Sequence, residues 1–184
     1  DGKFVIKKKI KNDKIIKSNL CCEQYFFSSD YHFFCNNIKY EPIIHRKIWE
    51  YFIIAEKIKN YYKNKLKNKK GLGFAVGNEP LVPYFISKKT YITGTDICEK
   101  HKNYHIWKST NQNIDIGFDK FTDPKSNKYF LDKNQFDKFF KKEYVDMNKL
   151  PKNIGNNDFD FLWSSCALEH LGSIEKSFKF IISS

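Results

Sequence analysis

Three short segments carry the residues whose types and spacing suit chemistry: GLGFAVGNEP at Gly71–Pro80, TGTDI at Thr93–Ile97 and FDFLWSSCALEHLG at Phe159–Gly172. In the first, Gly77-Asn78-Glu79 reverses the chain after an apolar stretch and sets a carboxylate beside the turn. In the second, Asp96 stands 19 positions after Gly77. A carboxylate about 20 residues past a glycine turn is placed to accept hydrogen bonds from ribose hydroxyls. Asp146, next to Met147, is a further acid ending an apolar run. In the third, Ser164, Ser165 and Cys166 precede Glu169 and His170, and a histidine's ordinary pKa suits proton transfer near neutral pH. The serine and cysteine have no base spaced to activate them, so covalent catalysis is not expected.

The elements that must position these groups follow from pattern. Leu72, Phe74 and Val76 alternate with small residues, whereas Asn64–Lys70 is too polar for a buried strand, so the first strand is expected over Gly71–Val76. Pro80 suits the first turn of a helix that continues through Leu81, Val82, Tyr84, Phe85 and Ile86. Further strands are expected at Tyr91–Thr95, ending in Asp96, at Tyr144–Met147 and at Phe159–Trp163. Strands alternating with helices imply a mostly parallel sheet, which binds ligands at the carboxyl ends of its strands. All the candidate residues fall at that edge. The long crossover Glu99–Lys142 is expected to be mostly loop over Asn111–Lys128 and a short helix over Asp132–Lys141. With Trp107 and Phe118 nearby, it is read either as a lid or acceptor-binding flap, or as a surface excursion. Arg46–Ile58 carries an amphipathic stripe of Ile48, Trp49, Phe52, Ile53 and Ala55 that packs on the sheet and stands where a segment could close over a cofactor.

In this order and spacing the three segments resemble the class I S-adenosylmethionine-dependent methyltransferases. The resemblance extends to Asn19–Ile38 and His45–Ile58, which look like the helical N-terminal region of one bacterial subgroup, and so covers Asn19–Ile182. It implies an α/β, Rossmann-like, mostly parallel sheet with flanking helices, of which the first four strands are present. Residues 1–63 would be a basic arm and helical region, and 64–184 the N-terminal half of an S-adenosylmethionine-binding domain. By the same resemblance, Ala75, Gly77 and Glu79 lie against the methionine and ribose portion, and Asp96 with Ile97 meets the ribose. Asp146 and Met147 hold the adenine, and Ser164, Ser165, Glu169 and His170 face cofactor and substrate. One feature departs from the family: the first strand lacks the usual acid, with Gly73 and Ala75 in its place. The acceptor implied is a small molecule or glycan, since that subgroup accompanies surface-polysaccharide enzymes. For a hydroxyl acceptor, His170 is the candidate base. Glu79 is expected either to face the methionine ammonium or to cap the helix. Family members continue with three more strands, and Met147 is the sole methionine, so the chain is expected to be a fragment whose fourth strand is an edge prone to self-association.

Two alternatives come from other classes. Gly71, Gly73 and Gly77 satisfy G-x-G-x-x-x-G, as in nicotinamide dinucleotide-binding oxidoreductases. But the first two glycines fall inside the strand, and Glu79 opposes a pyrophosphate at the helix start. The net charge of +12 suggests nucleic acid as a partner. Yet Arg46 is the only arginine, and most lysines read as solvated surface, so this partner is less favoured. Five cysteines without C-x-x-C pairs suit a reducing cytoplasm. No apolar run nears a membrane span. His101 and His105 could share a helix face, but no third ligand is evident, so no metal is expected.

Overall fold

The computed structural model describes residues 20–152, 154 and 159–184. Residues 1–19, the start of the expected basic arm and helical region, lie outside them. The chain opens with three helices, α1 (Glu23–Phe26), α2 (Ser29–Asn37) and α3 (Arg46–Tyr61). Ser28 starts α2 because its hydroxyl accepts the Tyr31 N–H at 3.2 Å. Along α3, Ile48, Trp49, Tyr51, Phe52 and Ala55 are buried, the stripe that a 3.6-residue period produces.

The sheet follows as β1 (Lys70–Phe74), α4 (Leu81–Ser87), β2 (Tyr91–Asp96), α5 (Tyr104–Ser109), α6 (Asp119–Thr122), α7 (Lys133–Phe139), β3 (Phe140–Tyr144), β4 (Phe161–Ser164) and α8 (Ile174–Ser183). Its four strands are all parallel, in the order β3-β2-β1-β4. The fold is therefore α/β and Rossmann-like. Between β3 and β4 the chain crosses to the far side of β1, which makes the carboxyl end of β1 a topological switch point, where open α/β sheets bind ligands.

Two apolar clusters cover the faces of the sheet. On one side α4 is buried from Leu81 to Ile86, and the Phe85 ring lies 5.2 Å from Phe161 and 5.4 Å from Trp163. The same cluster includes Tyr31, Phe34 and Phe52, so the N-terminal helices and the sheet share one core. On the other side Leu72, Phe74, Val145, Met147 and Leu171 gather, with Phe180 of α8 edge-on to Phe74 at 4.9 Å. The remaining apolar side chains of α8, Ile174, Phe178, Ile181 and Ile182, are exposed.

Two expectations need correction. The third strand runs over Phe140–Tyr144 rather than Tyr144–Met147, so Val145, Asp146 and Met147 follow its carboxyl end. β3 is an edge strand, where Lys141, Lys142 and Glu143 are tolerated, and these polar residues hid it. The helix before it ends at Phe139. The crossover is mostly loop over Asn111–Lys128, as expected, and it packs inward: Ile114, Phe118 and Phe121 are buried, and Phe118 meets Phe136 and Phe140 at 5.2 Å each. Asp115 pins it to β3, accepting from Tyr104 Oη, Lys142 Nζ and Tyr144 Oη at 2.7–2.9 Å. Among the described residues no helix is long and apolar enough to cross a membrane.

Candidate functional site

At the carboxyl edge of the sheet lies a cleft of about 490 Å³. Loops after all four strands wall it: Ala75–Pro80 after β1, Asp96 and Ile97 of β2, Val145–Asn148 after β3, and Ser165–Ala167 after β4. The crossover adds Trp107 and Gln112, and α3 adds Lys47 and Tyr51.

The β1 loop turns sharply because Ala75 and Gly77 both take left-handed backbone, with φ of 50° and 51°. Gly77 is required twice over. Besides its φ, a Cβ there would lie 2.3 Å from the carbonyl oxygen of Gln112, so the crossover backbone rests directly on the loop. Gly71 and Gly73 lie within β1 and take no part in the turn.

Glu79, at the end of this turn, is 7% exposed, and its Oε1 accepts the Trp163 indole N–H at 2.7 Å. It does not cap α4, which has no side-chain cap. Oε2 has no hydrogen-bond partner among the described residues. Burial opposes ionisation here and pushes the carboxyl up from 4.5 to about 8, against the smaller opposing pull of the Trp163 hydrogen bond and the Lys47 charge.

Asp96 is in a different state. Its Oδ1 accepts from Ile97 N at 2.8 Å and Oδ2 from Ile114 N at 3.0 Å, and Gly77 N also donates to the carboxylate. Burial still holds its pKa above the ordinary value, so three backbone donors offset the loss of water only in part. The carboxylate thereby ties β2, the glycine loop and the crossover together.

On the β3 side, Asp146 accepts from Asn148 N at 2.8 Å and faces His101 Nε2 at 3.9 Å, while Met147 is buried beneath it. After β4, Ser165 is buried at the wall. Cys166, at φ 52°, donates its thiol to Glu50 Oε2 at 2.6 Å, and burial raises its pKa. A thiol held neutral is a poor nucleophile. His170 closes the 3₁₀ turn Leu168–His170, exposed, its backbone N–H donating to Ala167 O at 3.0 Å and its ring edge-on to Trp107 at 4.7 Å.

The structure thus gathers Ala75, Gly77, Glu79, Asp96, Ile97, Asp146, Met147, Ser165 and His170 around one cleft. Ser164 is not among its walls; its hydroxyl turns to Phe74 O at 3.3 Å. His101 precedes α5 and His105 lies on it, so the pair do not share a helix face. Among the described residues no cluster of three or more His, Cys, Asp or Glu could hold a metal ion. Sequence reasoning missed Lys47, Tyr51 and Lys120. The available signal was the i, i+4 spacing of Lys47 and Tyr51 beside the buried stripe of α3. The chain matches no family model, no curated protein and no solved structure.

Proposed function

We propose that this chain binds S-adenosylmethionine in the cleft and transfers its methyl group to a small-molecule or glycan-type acceptor. The observation that carries this reading is Glu79: a buried carboxyl with one oxygen unengaged, in the wall of a cleft at the sheet's switch point. A cationic group on the ligand relieves the cost of ionising it, and an ammonium answers that demand where a phosphate aggravates it. The remaining walls fit the same ligand. Asp96 oxygens have lone-pair capacity beyond the backbone bonds they accept, which suits ribose hydroxyls. Met147 and Asp146 offer an apolar surface and an acceptor to a purine.

When bound, the cofactor supplies an activated methyl on a positively charged sulfur, so the protein need not generate a strong nucleophile. The work left to the chain is orientation and exclusion of water. The left-handed turn at Ala75 and Gly77 lets the backbone approach the ligand closely, and the crossover resting on Gly77 holds that turn in place. His170 sits at the rim, where it can take a proton from a hydroxyl acceptor.

Calorimetric titration with S-adenosylhomocysteine and, separately, NADPH tests the assignment. Binding of the first and not the second is expected. Binding of NADPH alone overturns the reading in favour of a dinucleotide enzyme.

A further inference from the structure

The cleft extends beyond the residues assigned to the cofactor, to an end walled by Tyr40, Lys47, Tyr51, Asn78 and Lys120. Helix α3 supplies Lys47 and Tyr51 four positions apart, on adjacent turns of one face. Tyr51 is only 8% exposed and lines the cleft; the buried side-chain polar atom left without a partner among the described residues is Trp49 Nε1, so the Tyr51 hydroxyl keeps access to the cleft.

The lysines at this end form no ion pair among the described residues, although Lys47 acts on the Glu79 carboxyl. Lys47 lies 5.9 Å from the centre of the Tyr51 ring and bonds to the Cys166 thiol. Lys120 reaches only Asn78 Oδ1, at 3.2 Å, and the face of Phe121. Lys128, close enough to Lys120 to weaken its hold on a proton, donates to Lys39 O at 2.9 Å and lies over Tyr40. None of the three has a carboxylate within ion-pair distance among the described residues. The nearby Glu50 is committed to Arg46 at 2.7 Å and to Cys166. Two ammonium groups and a phenol hydroxyl, all donors, thus line this end of the cleft with no ion pair formed among the described residues.

We infer that this end of the cleft binds the methyl acceptor, and that the acceptor carries a phosphate or carboxylate gripped by Lys47, Lys120 and the Tyr51 hydroxyl. The anion is the handle by which the acceptor is held, not the atom methylated. This inference rests on the cofactor reading above, and Glu79 adjoins both sites, since its carboxyl feels the Lys47 charge. It narrows the acceptor from any small molecule or glycan to an anionic one.

The test titrates protein saturated with S-adenosylhomocysteine with two probes, inorganic pyrophosphate and malonate. At least one is expected to bind without displacing the nucleoside. Tighter pyrophosphate binding marks a phosphate-bearing acceptor, and tighter malonate binding a carboxylate-bearing one. Lys47→Gln and Lys120→Gln should each weaken the preferred probe about tenfold, and Tyr51→Phe roughly fivefold, as for loss of hydrogen bonds to a charged group. Lys65→Gln, on an exposed loop, should change nothing. Retained S-adenosylhomocysteine binding certifies that each variant is folded, and the exposed Lys120→Gln keeps the test decisive if Tyr51→Phe does not fold. The inference is overturned if neither probe binds, if binding is indifferent to all three substitutions, or if the probe competes with the nucleoside. It falls together with the cofactor reading if NADPH binds and S-adenosylhomocysteine does not. Nucleoside binding without anion binding removes this inference alone.

Discussion

Replacing Glu79 by glutamine should stabilise the ligand-free protein while weakening its ligand, and the stabilisation should grow with pH. Glutamine keeps an acceptor for the Trp163 Nε1 donor, so the 2.7 Å hydrogen bond survives. What disappears is the titration. The folded carboxyl is raised from 4.5 to about 8. A group raised in this way contributes stability that is fully present below 4.5 and lost as pH climbs through about 8. Across that window the unfolded chain is ionised, while the folded chain must keep a proton or bury a charge. At about 1.36 kcal/mol per tenfold change in proton concentration, the handicap of glutamate reaches about 3 kcal/mol at pH 7 and about 5 kcal/mol above pH 8. For a chain of this size, about 3 kcal/mol corresponds to roughly 6–12 °C in Tm. Urea unfolding of both proteins at pH 4, 7 and 8.5 measures it: equal stability at pH 4 and a widening advantage for Glu79→Gln are expected. A difference independent of pH, or of opposite sign, refutes the argument that a strained buried acid lies in the cleft. The same pair, titrated with S-adenosylhomocysteine at pH 7.5, should show the order reversed, with the less stable native protein binding more tightly. If affinity is unchanged, the ammonium does not meet Glu79.

Two other substitutions probe the loop and the acid that holds it. Gly77→Ala must accommodate both a left-handed φ of 51° and a methyl 2.3 Å from Gln112 O. It should therefore cost more than the roughly 1–2 kcal/mol of the backbone conformation alone, read as a lowered urea midpoint; a neutral result means the crossover does not rest on the loop. Asp96→Asn turns an NH₂ toward backbone donors that the carboxylate satisfied, costing about 1–3 kcal/mol. Hydrogen exchange at Ile97 and Ile114 should accelerate with it, and unchanged protection would place the tie between β2 and the crossover elsewhere.

Much of this was legible because local signals and tertiary demands agreed. Alternation in Leu72 and Phe74, the turn glycine and Pro80 mark β1, the loop and α4 without reference to distant residues. Asp96 was marked by its spacing from the turn glycine Gly77, with the resemblance to a known family behind both, and the two sit at the carboxyl ends of adjacent parallel strands. β3 was displaced by four residues because an edge strand buries little, and Lys141-Lys142-Glu143 reads as surface. The inward packing of the crossover was not legible because its few apolar residues, Ile114, Phe118 and Phe121, are scattered among polar ones; Phe118 is buried against Phe136 of α7 and Phe140 of β3 rather than by a period of its own. The acceptor-facing residues were harder still. The i, i+4 spacing puts Lys47 and Tyr51 on one face of α3, but what that face meets depends on how α3 packs on the sheet.

The two buried acids divide the work of the cleft, and that division decides what can bind. Asp96 is paired before any ligand arrives, by donors from β2, the glycine loop and the crossover. Its bonds fix the shape of the site, and a ligand hydroxyl adds to them without being needed for folding. Glu79 is only half satisfied, by a single indole N–H, and it remains protonated near neutral pH at a cost in stability. A ligand that supplies an ammonium recovers that cost and ionises the acid in the same step. A neutral ligand leaves it unpaid, and an anion placed at that turn worsens it. Binding of the cation should accordingly release a proton at pH 7, and the heat of binding should depend on the ionisation enthalpy of the buffer. Titrations in phosphate and in Tris that give identical heats would mean that Glu79 is already ionised or is not reached by the ligand, and either outcome removes the electrostatic basis for the assignment.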